Sequence, residues 1–452
     1  MNVLLVSTYE LGHQPLQLAS PASMLSNAGH AVRAVDLSIE EWDDDTLSWA
    51  DAVAFSVPMH TATRLAIRAA NHVGNSNPEM PMCFYGLYAM AGASGTASSI
   101  PTKAIAGEYE PKLLEWIETL SVFGPGRESN GFEIDLGRHE YQVPTRAGLP
   151  QLDRYAHLIN GDEHRLVGYV EASHGCVHRC THCPVPVVYD GRIRIVDADT
   201  VLDDIAHLSE MGAEHVTFGD PDFLNGVGHS LRIIRAMHDR FPALTFDCTA
   251  KVEHIVRNRG IWREFADAGC IFVVSAFESM NDDILAKLDK GHTARDAAEC
   301  VEVLRRHGIE PRPSLLPFTP WTTFADLFDI LDFVSSHGLI DNVDPIQYAI
   351  RLLVPQGSLM LDDPDLKPYF GDYDSETLAY GWNSADPRLD TLQKRLSKVV
   401  EESFQTEVPA IETFVKIVDE VAAAAGGRRL AMRPNVSPTQ RIIPRLTEPW
   451  FC

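Results

Sequence analysis

Three of the eight cysteines crowd into the run Gly175-Cys176-Val177-His178-Arg179-Cys180-Thr181-His182-Cys183, while Cys83, Cys248, Cys270, Cys300 and Cys452 are scattered singly. Histidine and arginine are poor company for apolar core sulfur, so the trio reads as metal ligands rather than as three buried thiols that happen to be neighbours. In a reducing compartment such a cluster makes a better metal site than a disulfide framework. Four thiolates would close a structural zinc site or a fully protein-ligated cluster; three leave one metal coordination position free for a substrate or cofactor.

The elements around the trio say where it must sit. Between Gly168 and Leu353, strand-like runs (168–173, 215–219, 244–249, 271–276, 313–316 and 346–353) bracket helical stretches such as Thr200–Met211, Gly228–Arg240 and Arg295–His307. Six such units predict a parallel (β/α)6 barrel that is curved but open, since closure usually takes eight. Active groups lie at the carboxyl ends of the strands in this architecture, and the trio follows the first strand directly. Upstream, Val3–Ser7, Ala31–Leu37, Ala52–Val57 and Met82–Leu87 alternate with helical segments such as Leu16–Ala28 and Thr61–Val73, which predicts a doubly wound α/β sheet. Residues 128–150, polar with several Gly and Pro, read as a connector. Downstream, Leu389–Phe404 and Ile411–Ala425 read as helices, and 433–452, with four prolines, as an extended tail over the surface.

Length and charge bound the rest. The 452 residues correspond to about three domains at roughly 150 residues each. Hydrophobic residues at 45 % and charged residues at 22 % are ordinary for a folded protein. Lys plus Arg number 38 against 63 Asp plus Glu, a net charge of −25, which repels phosphate backbones and anionic lipid. No nucleic-acid or membrane partner is expected. The amino-terminal run Met1–Ser7 lacks a basic region ahead of an apolar segment, so a cytoplasmic location is expected.

The spacing Cys176-x-x-x-Cys180-x-x-Cys183 after strand one of a six-unit half-barrel resembles the radical S-adenosylmethionine (radical SAM) superfamily. The resemblance implies that the three thiolates hold three irons of a [4Fe-4S] cluster and that S-adenosylmethionine binds the fourth. A cluster at about −400 mV or below then donates an electron that cleaves the cofactor and leaves a 5′-deoxyadenosyl radical, which removes a substrate hydrogen. His182 stands where the family commonly carries an aromatic near the adenine. Asp220, in Gly219-Asp220-Pro221, matches the short motif ending strand two that contacts the methionine amino group. Glu278, ending strand four, takes the place of the ribose contact; both acids are also well placed as turn or helix caps. Lys251, Arg312 and Arg351, near the ends of strands three, five and six, are cations for the cofactor carboxylate or an anionic substrate, with internal salt bridges the competing use.

A doubly wound domain ahead of such a barrel resembles the cobalamin-binding domain of the B12-dependent branch. The implied division is a Rossmann-like cobalamin-binding domain over 1–130, a linker over 131–165, the partial barrel over 166–362 and a helical carboxyl-terminal region with an extended tail over 363–452. The Asp-x-His-x-x-Gly motif that gives cobalt a histidine is absent, and His13 does not fit its spacing. The runs 168–173, 316–322 and 347–355, together with Glu448-Pro449 near the end, resemble the radical SAM group named for a tail with paired Cys, or Cys and selenocysteine, before Ala-Glu-Pro; here Arg445 and Leu446 replace the pair.

The expected activity is a radical SAM transferase, cobalamin-linked and methylating an unreactive carbon of a small molecule in specialised metabolism. A low-potential donor such as ferredoxin or flavodoxin would supply its electrons. The alternatives are a cobalamin-independent radical SAM enzyme (rearrangement, bond cleavage or aminocarboxypropyl transfer) and a non-catalytic metal-binding scaffold.

Overall fold

Val3, Leu4, Leu5 and Val6 are all fully buried, which requires a strand covered on both faces. In the computed structural model, which describes the chain except for residues 42–43, 97–101, 125–130, 428–440 and 449–452, they lie in β1 (Asn2–Ser7). With β2 (Ala31–Asp36), β3 (Ala52–Ser56), β4 (Met82–Tyr85), β5 (Thr102–Gly107) and β6 (Gly131–Asp135) it forms a parallel sheet of order β2-β1-β3-β4-β5-β6. Alternate residues serve two cores. Val3, Leu5, Ala54 and Tyr85 pack under the helices Leu16–Asn27 and Tyr109–Phe123. Leu4, Val6, Phe55 and Phe84 face the other way, and that core continues into Cys176, Val185, Val188 and Tyr189 of the second sheet's loops. The first sheet is therefore packed against the loop that carries the cysteines.

Two of these strands differ from the sequence reading. β5 went unread because Thr102–Gly107 holds only a short apolar centre, and β6 falls in the segment read as connector. Gly131 to Asp135 pairs as an edge strand with half its side chains exposed, so its hydropathy resembles a loop.

The second sheet begins with β7 (His157–Asn160) and β8 (Glu163–Val170), an antiparallel hairpin. A small pair, β9 (Ser173–Gly175) and β10 (Ile193–Ile195), flanks the cysteine loop. The parallel strands β11 (His215–Phe218), β12 (Thr245–Thr249), β13 (Cys270–Glu278) and β14 (Glu310–Leu315) follow, each covered by helices on its outer side. A two-stranded pair, β15 (Phe370–Asp374) and β16 (Ala379–Trp382), precedes the carboxyl-terminal helices Pro387–Gln405 and Ala410–Ala424. The last strand, β17 (Arg445–Leu446), returns to pair with β7. The sheet order is β14-β13-β12-β11-β8-β7-β17, a curled half-barrel.

Here too the structure corrects two expectations. Residues 345–349, at the start of the expected sixth strand, form a short 3₁₀ helix, and only the single bridge from Phe318 to Arg351 marks a sixth position. The tail is not wholly superficial: Leu446 packs with Leu158, Val167 and Phe272, and Arg312 donates to the Pro444 carbonyl. Cys452 lies outside the described residues. Among the described residues no helix is long and apolar enough to cross a membrane.

Candidate active site at the carboxyl edge of the half-barrel

Beyond β8 the chain must reverse sharply to bring three thiols together, and Gly175 makes that possible. Its φ is +74°, and a Cβ there would lie 2.3 Å from the Arg192 carbonyl oxygen and 2.6 Å from the Tyr189 ring. The loop that follows is fixed at several points. Asp220, at the end of β11, accepts from the Ala172 N–H at 2.9 Å and the Ser173 hydroxyl at 2.5 Å. Asn225 lies 3.7 Å from the Cys176 Sγ and accepts the Val177 N–H at 3.2 Å. Thr181 donates through its N–H to Leu288 and through its hydroxyl to Lys287, tying the loop to the helix after β13.

Cys176 and Cys180 are buried, Cys183 is nearly so, and all three are free thiols. Burial pushes the Cys176 thiol up and the Cys183 thiol up to about 12, the other thiols of the trio adding to the effect. Such sulfurs ionise when a metal takes the place of the proton. Their spacing favours a cluster over a single ion. Tetrahedral zinc would hold sulfurs about 3.8 Å apart, given bonds of about 2.3 Å, yet the trio is not among the groups whose ligand atoms all fall within 4.8 Å of one another. Cys83, Cys248, Cys270 and Cys300 are buried in the hydrophobic cores, distributed over separate elements.

Lys290, unremarked in the sequence, lies at the centre of the site's electrostatics. Its Nζ is 3.1 Å from the Glu278 Oε1, and the same oxygen is 3.2 Å from the His182 Nε2. Burial opposes the ammonium charge, but Glu278 and the thiols of Cys180 and Cys183 outweigh it and hold Lys290 above its ordinary value. Burial likewise raises Glu278, and Lys290 and His182 overcome this to bring its carboxyl down to about 2. Glu278 also has φ +60°, a left-handed conformation uncommon for a side-chain-bearing residue and typical of functional sites.

The other named residues fall out differently. Lys251 is buried beside the same region, 3.9 Å from the Glu253 carboxylate. Arg312 is already matched by Asp344, its Nη2 donating to both carboxylate oxygens at 2.7 and 2.8 Å. Arg351 pairs with Asp390 at 2.6 Å and stacks on Trp382. Asp220 is buried and committed to Ala172 and Ser173, just after β8, and burial pushes its carboxyl up to about 6.

A second charged group links the two sheets. Glu108, just past β5, receives hydrogen bonds from Tyr141 at 2.5 Å and Tyr189 at 2.9 Å, and pairs with His174 at 3.1 Å. Glu171 holds the other side of the same imidazole at 3.3 Å. Alternation along β8 places Val167 and Tyr169 on one face, and Glu171 follows directly after the strand. A cleft of about 630 Å³ lined by Glu163, Arg165, Glu214 and Leu244 lies at the opposite, amino end of the strands, away from these groups.

Comparison with known proteins accords with this geometry. Residues 170–334 match the radical SAM superfamily. The hopanoid C-3 methylase of Methylococcus capsulatus is 23 % identical over 337 residues, 68 % of this chain. This chain spans only 62 % of that relative's length. The cobalamin-dependent S-adenosylmethionine radical enzyme OxsB, solved with aqua-cobalamin bound, superposes over 89 % of this chain and 67 % of its own at a TM-score of 0.68 and 15 % identity. The radical S-adenosylmethionine methyltransferase TsrM from Kitasatospora setae, solved with cobalamin and a [4Fe-4S] cluster, covers 75 % of this chain and 70 % of its own at a TM-score of 0.57 and 16 % identity. At such identities these two structures establish a shared fold. Cys176, Cys180 and Cys183 all fall inside the segment that matches the radical SAM superfamily.

Proposed function

We propose that the protein is a cobalamin-linked radical SAM methyltransferase acting on an unreactive carbon of a small molecule. The observation that carries the reading is the three-thiol loop at the carboxyl edge of the half-barrel, backed by the buried Lys290–Glu278–His182 group. Bound there, a [4Fe-4S] cluster and S-adenosylmethionine supply a low-potential electron and a sulfonium to receive it, and cobalamin supplies a methyl carrier. Cys176, Cys180 and Cys183 would hold the irons. Glu278, with two acceptor oxygens at the end of β13, would take the ribose hydroxyls, and His182 would lie against the adenine. Lys290 would offset the negative charge of the thiolates inside a buried site. The closed packing of the first sheet on the cysteine loop excludes water from groups that react with it.

The carboxyl edge of the first sheet also suits a large polar ligand. The strand order changes direction between β1 and β3, where ligands of doubly wound sheets bind. Ser7, ending β1, and His13, on the following loop, are buried, and the Ser7 Oγ and His13 Nδ1 have no hydrogen-bond partner. The loop Thr8–Gln14 with Ser7 and Ser56 would hold the corrin's amide groups. His13 itself packs on Tyr169 of the half-barrel, ring centroids 4.8 Å apart, which favours cobalamin held without a protein histidine on cobalt. The same placement, with the missing Asp-x-His-x-x-Gly motif, supports a second reading in which the enzyme uses no cobalamin.

Electrons would come from a low-potential protein donor of the ferredoxin or flavodoxin kind, and a cytoplasmic location fits that supply. The test is anaerobic reconstitution followed by incubation with methyl-labelled S-adenosylmethionine and strong reductant. About four irons and one cobalamin per chain, with 5′-deoxyadenosine and demethylated cofactor both released, support the first reading. Cobalt below roughly a tenth of the iron favours the second. No 5′-deoxyadenosine at all would leave a metal-binding scaffold.

A further inference from the structure

We propose that His178, Asp222 and His254 form a mononuclear site for a divalent transition-metal ion, distinct from the cysteine cluster. The three residues come from three elements: the cysteine loop, the turn after β11 and the helix Val252–Arg257 that follows β12. Each contributes a ligand atom that lies within 4.8 Å of the other two, and among the described residues no other group of three does so. The His178 Nε2 is 3.2 Å from the His254 Nε2 and 3.8 Å from the Asp222 Oδ2, and the His254 Nδ1 is 2.7 Å from that same oxygen. Donors bonded to one ion at about 2.0–2.1 Å with tetrahedral angles lie about 3.3 Å apart; the two His178 Nε2 separations, 3.2 and 3.8 Å, are near that spacing, and the His254 imidazole would offer one of its two nitrogens.

Hydrogen bonding alone does not account for the arrangement. Asp222 is fully buried and His254 is 92 % buried on its 8 % exposure, so unpaired polar atoms there are costly. Yet the Asp222 Oδ2 and the His254 Nδ1, despite their 2.7 Å approach, make no directional hydrogen bond to each other or to anything else. A buried carboxylate oxygen and a buried imidazole nitrogen left so are what a bound cation would satisfy. The other Asp222 oxygen is occupied as a cap on the Leu224 N–H at 3.0 Å, which fixes the carboxylate's orientation. Glu253, 3.9 Å from the His178 Nδ1, lends further negative charge, and the same carboxylate oxygen is 3.9 Å from the Lys251 ammonium.

Two imidazoles and one carboxylate suit Zn²⁺ or Fe²⁺, and three protein ligands leave positions open for water or for an oxygen donor on a substrate. The ion would also fasten the loop between Cys176 and Cys180 to the ends of β11 and β12.

The test uses protein with its cluster assembled, dialysed anaerobically against zinc alone. We expect about one zinc per chain beside unchanged iron, falling at least fivefold in both Asp222→Asn and His254→Gln. Zinc-edge X-ray absorption of the unmutated protein should show only nitrogen and oxygen neighbours at about 2.0–2.1 Å, with imidazole scattering. Zinc below about a fifth of an equivalent, zinc unaffected by both substitutions, or sulfur neighbours at about 2.3 Å would each overturn the site. Should either variant lose its iron as well, the absorption spectrum of the unmutated protein still decides.

Discussion

The Lys290 ammonium sits 3.1 Å from the Glu278 carboxylate, both buried, and the thiols of Cys180 and Cys183 are near enough to favour its charge. Removing the ammonium strands a buried carboxylate. Lys290→Met should lower unfolding stability by about 3–5 kcal/mol, measured by chemical denaturation. With a positive charge gone from beside the thiolates, the midpoint potential of the assembled cluster should move negative, and Lys290→Arg should restore most of it. A redox titration followed by electron paramagnetic resonance reads this; an unmoved potential in the Met variant would separate Lys290 from the cluster.

Glu278→Ala should leave the iron content intact and weaken S-adenosylmethionine binding roughly 10- to 100-fold, the value of a hydrogen bond to a charged group. Equilibrium binding under anaerobic conditions checks it. Unchanged affinity would move the ribose contact elsewhere.

Cys176→Ala, Cys180→Ala and Cys183→Ala should each abolish cluster assembly, since each would remove one of the three proposed protein ligands. Cys83→Ala, Cys248→Ala and Cys300→Ala should keep full iron content and lose only about 1 kcal/mol of stability from the small cavities they leave in the cores. Iron analysis after anaerobic reconstitution tells the sets apart.

The His174 imidazole between Glu108 and Glu171 makes stability depend on pH. Burial lowers its proton affinity, but the two carboxylates outweigh this and raise it to about 10. A histidine raised in the folded state adds stability fully present below its unfolded value near 6.5, lost as pH climbs through about 10. Glu108, brought down to about 2 by His174 and two tyrosine hydroxyls against its burial, adds stability that is lost as pH falls from about 4.5 to 2. The denaturation midpoint should therefore decline on the alkaline side between pH 7 and 10, and His174→Gln should flatten that decline while lowering the plateau at neutral pH.

Gly219 lies where a Cβ would meet the Tyr169 ring at 1.9–2.5 Å. Gly219→Ala must push Tyr169 aside and should cost about 1–3 kcal/mol in thermal or chemical unfolding.

The sequence by itself determined the chemistry and the alternation of elements. Cysteines at 176, 180 and 183 stand out because the ligands proposed for one cluster are close along the chain. Strands such as β1, β3 and β4 are recognisable because burial on both faces leaves continuous apolar runs. β6 and the 345–353 segment were misread because an edge strand half in solvent and a short apolar 3₁₀ turn carry no distinctive period. Only the tertiary structure decided how charges pair across long separations. Lys290 meets Glu278 and the cysteine loop, Glu108 reaches 66 residues to His174, and Asp222 meets His254. Arg312 and Arg351 looked as available as Lys251 until their partners Asp344 and Asp390 came into view. The physical reason is that a Coulombic or hydrogen-bonding partner is chosen by distance in space and by burial, and neither is encoded in local residue order.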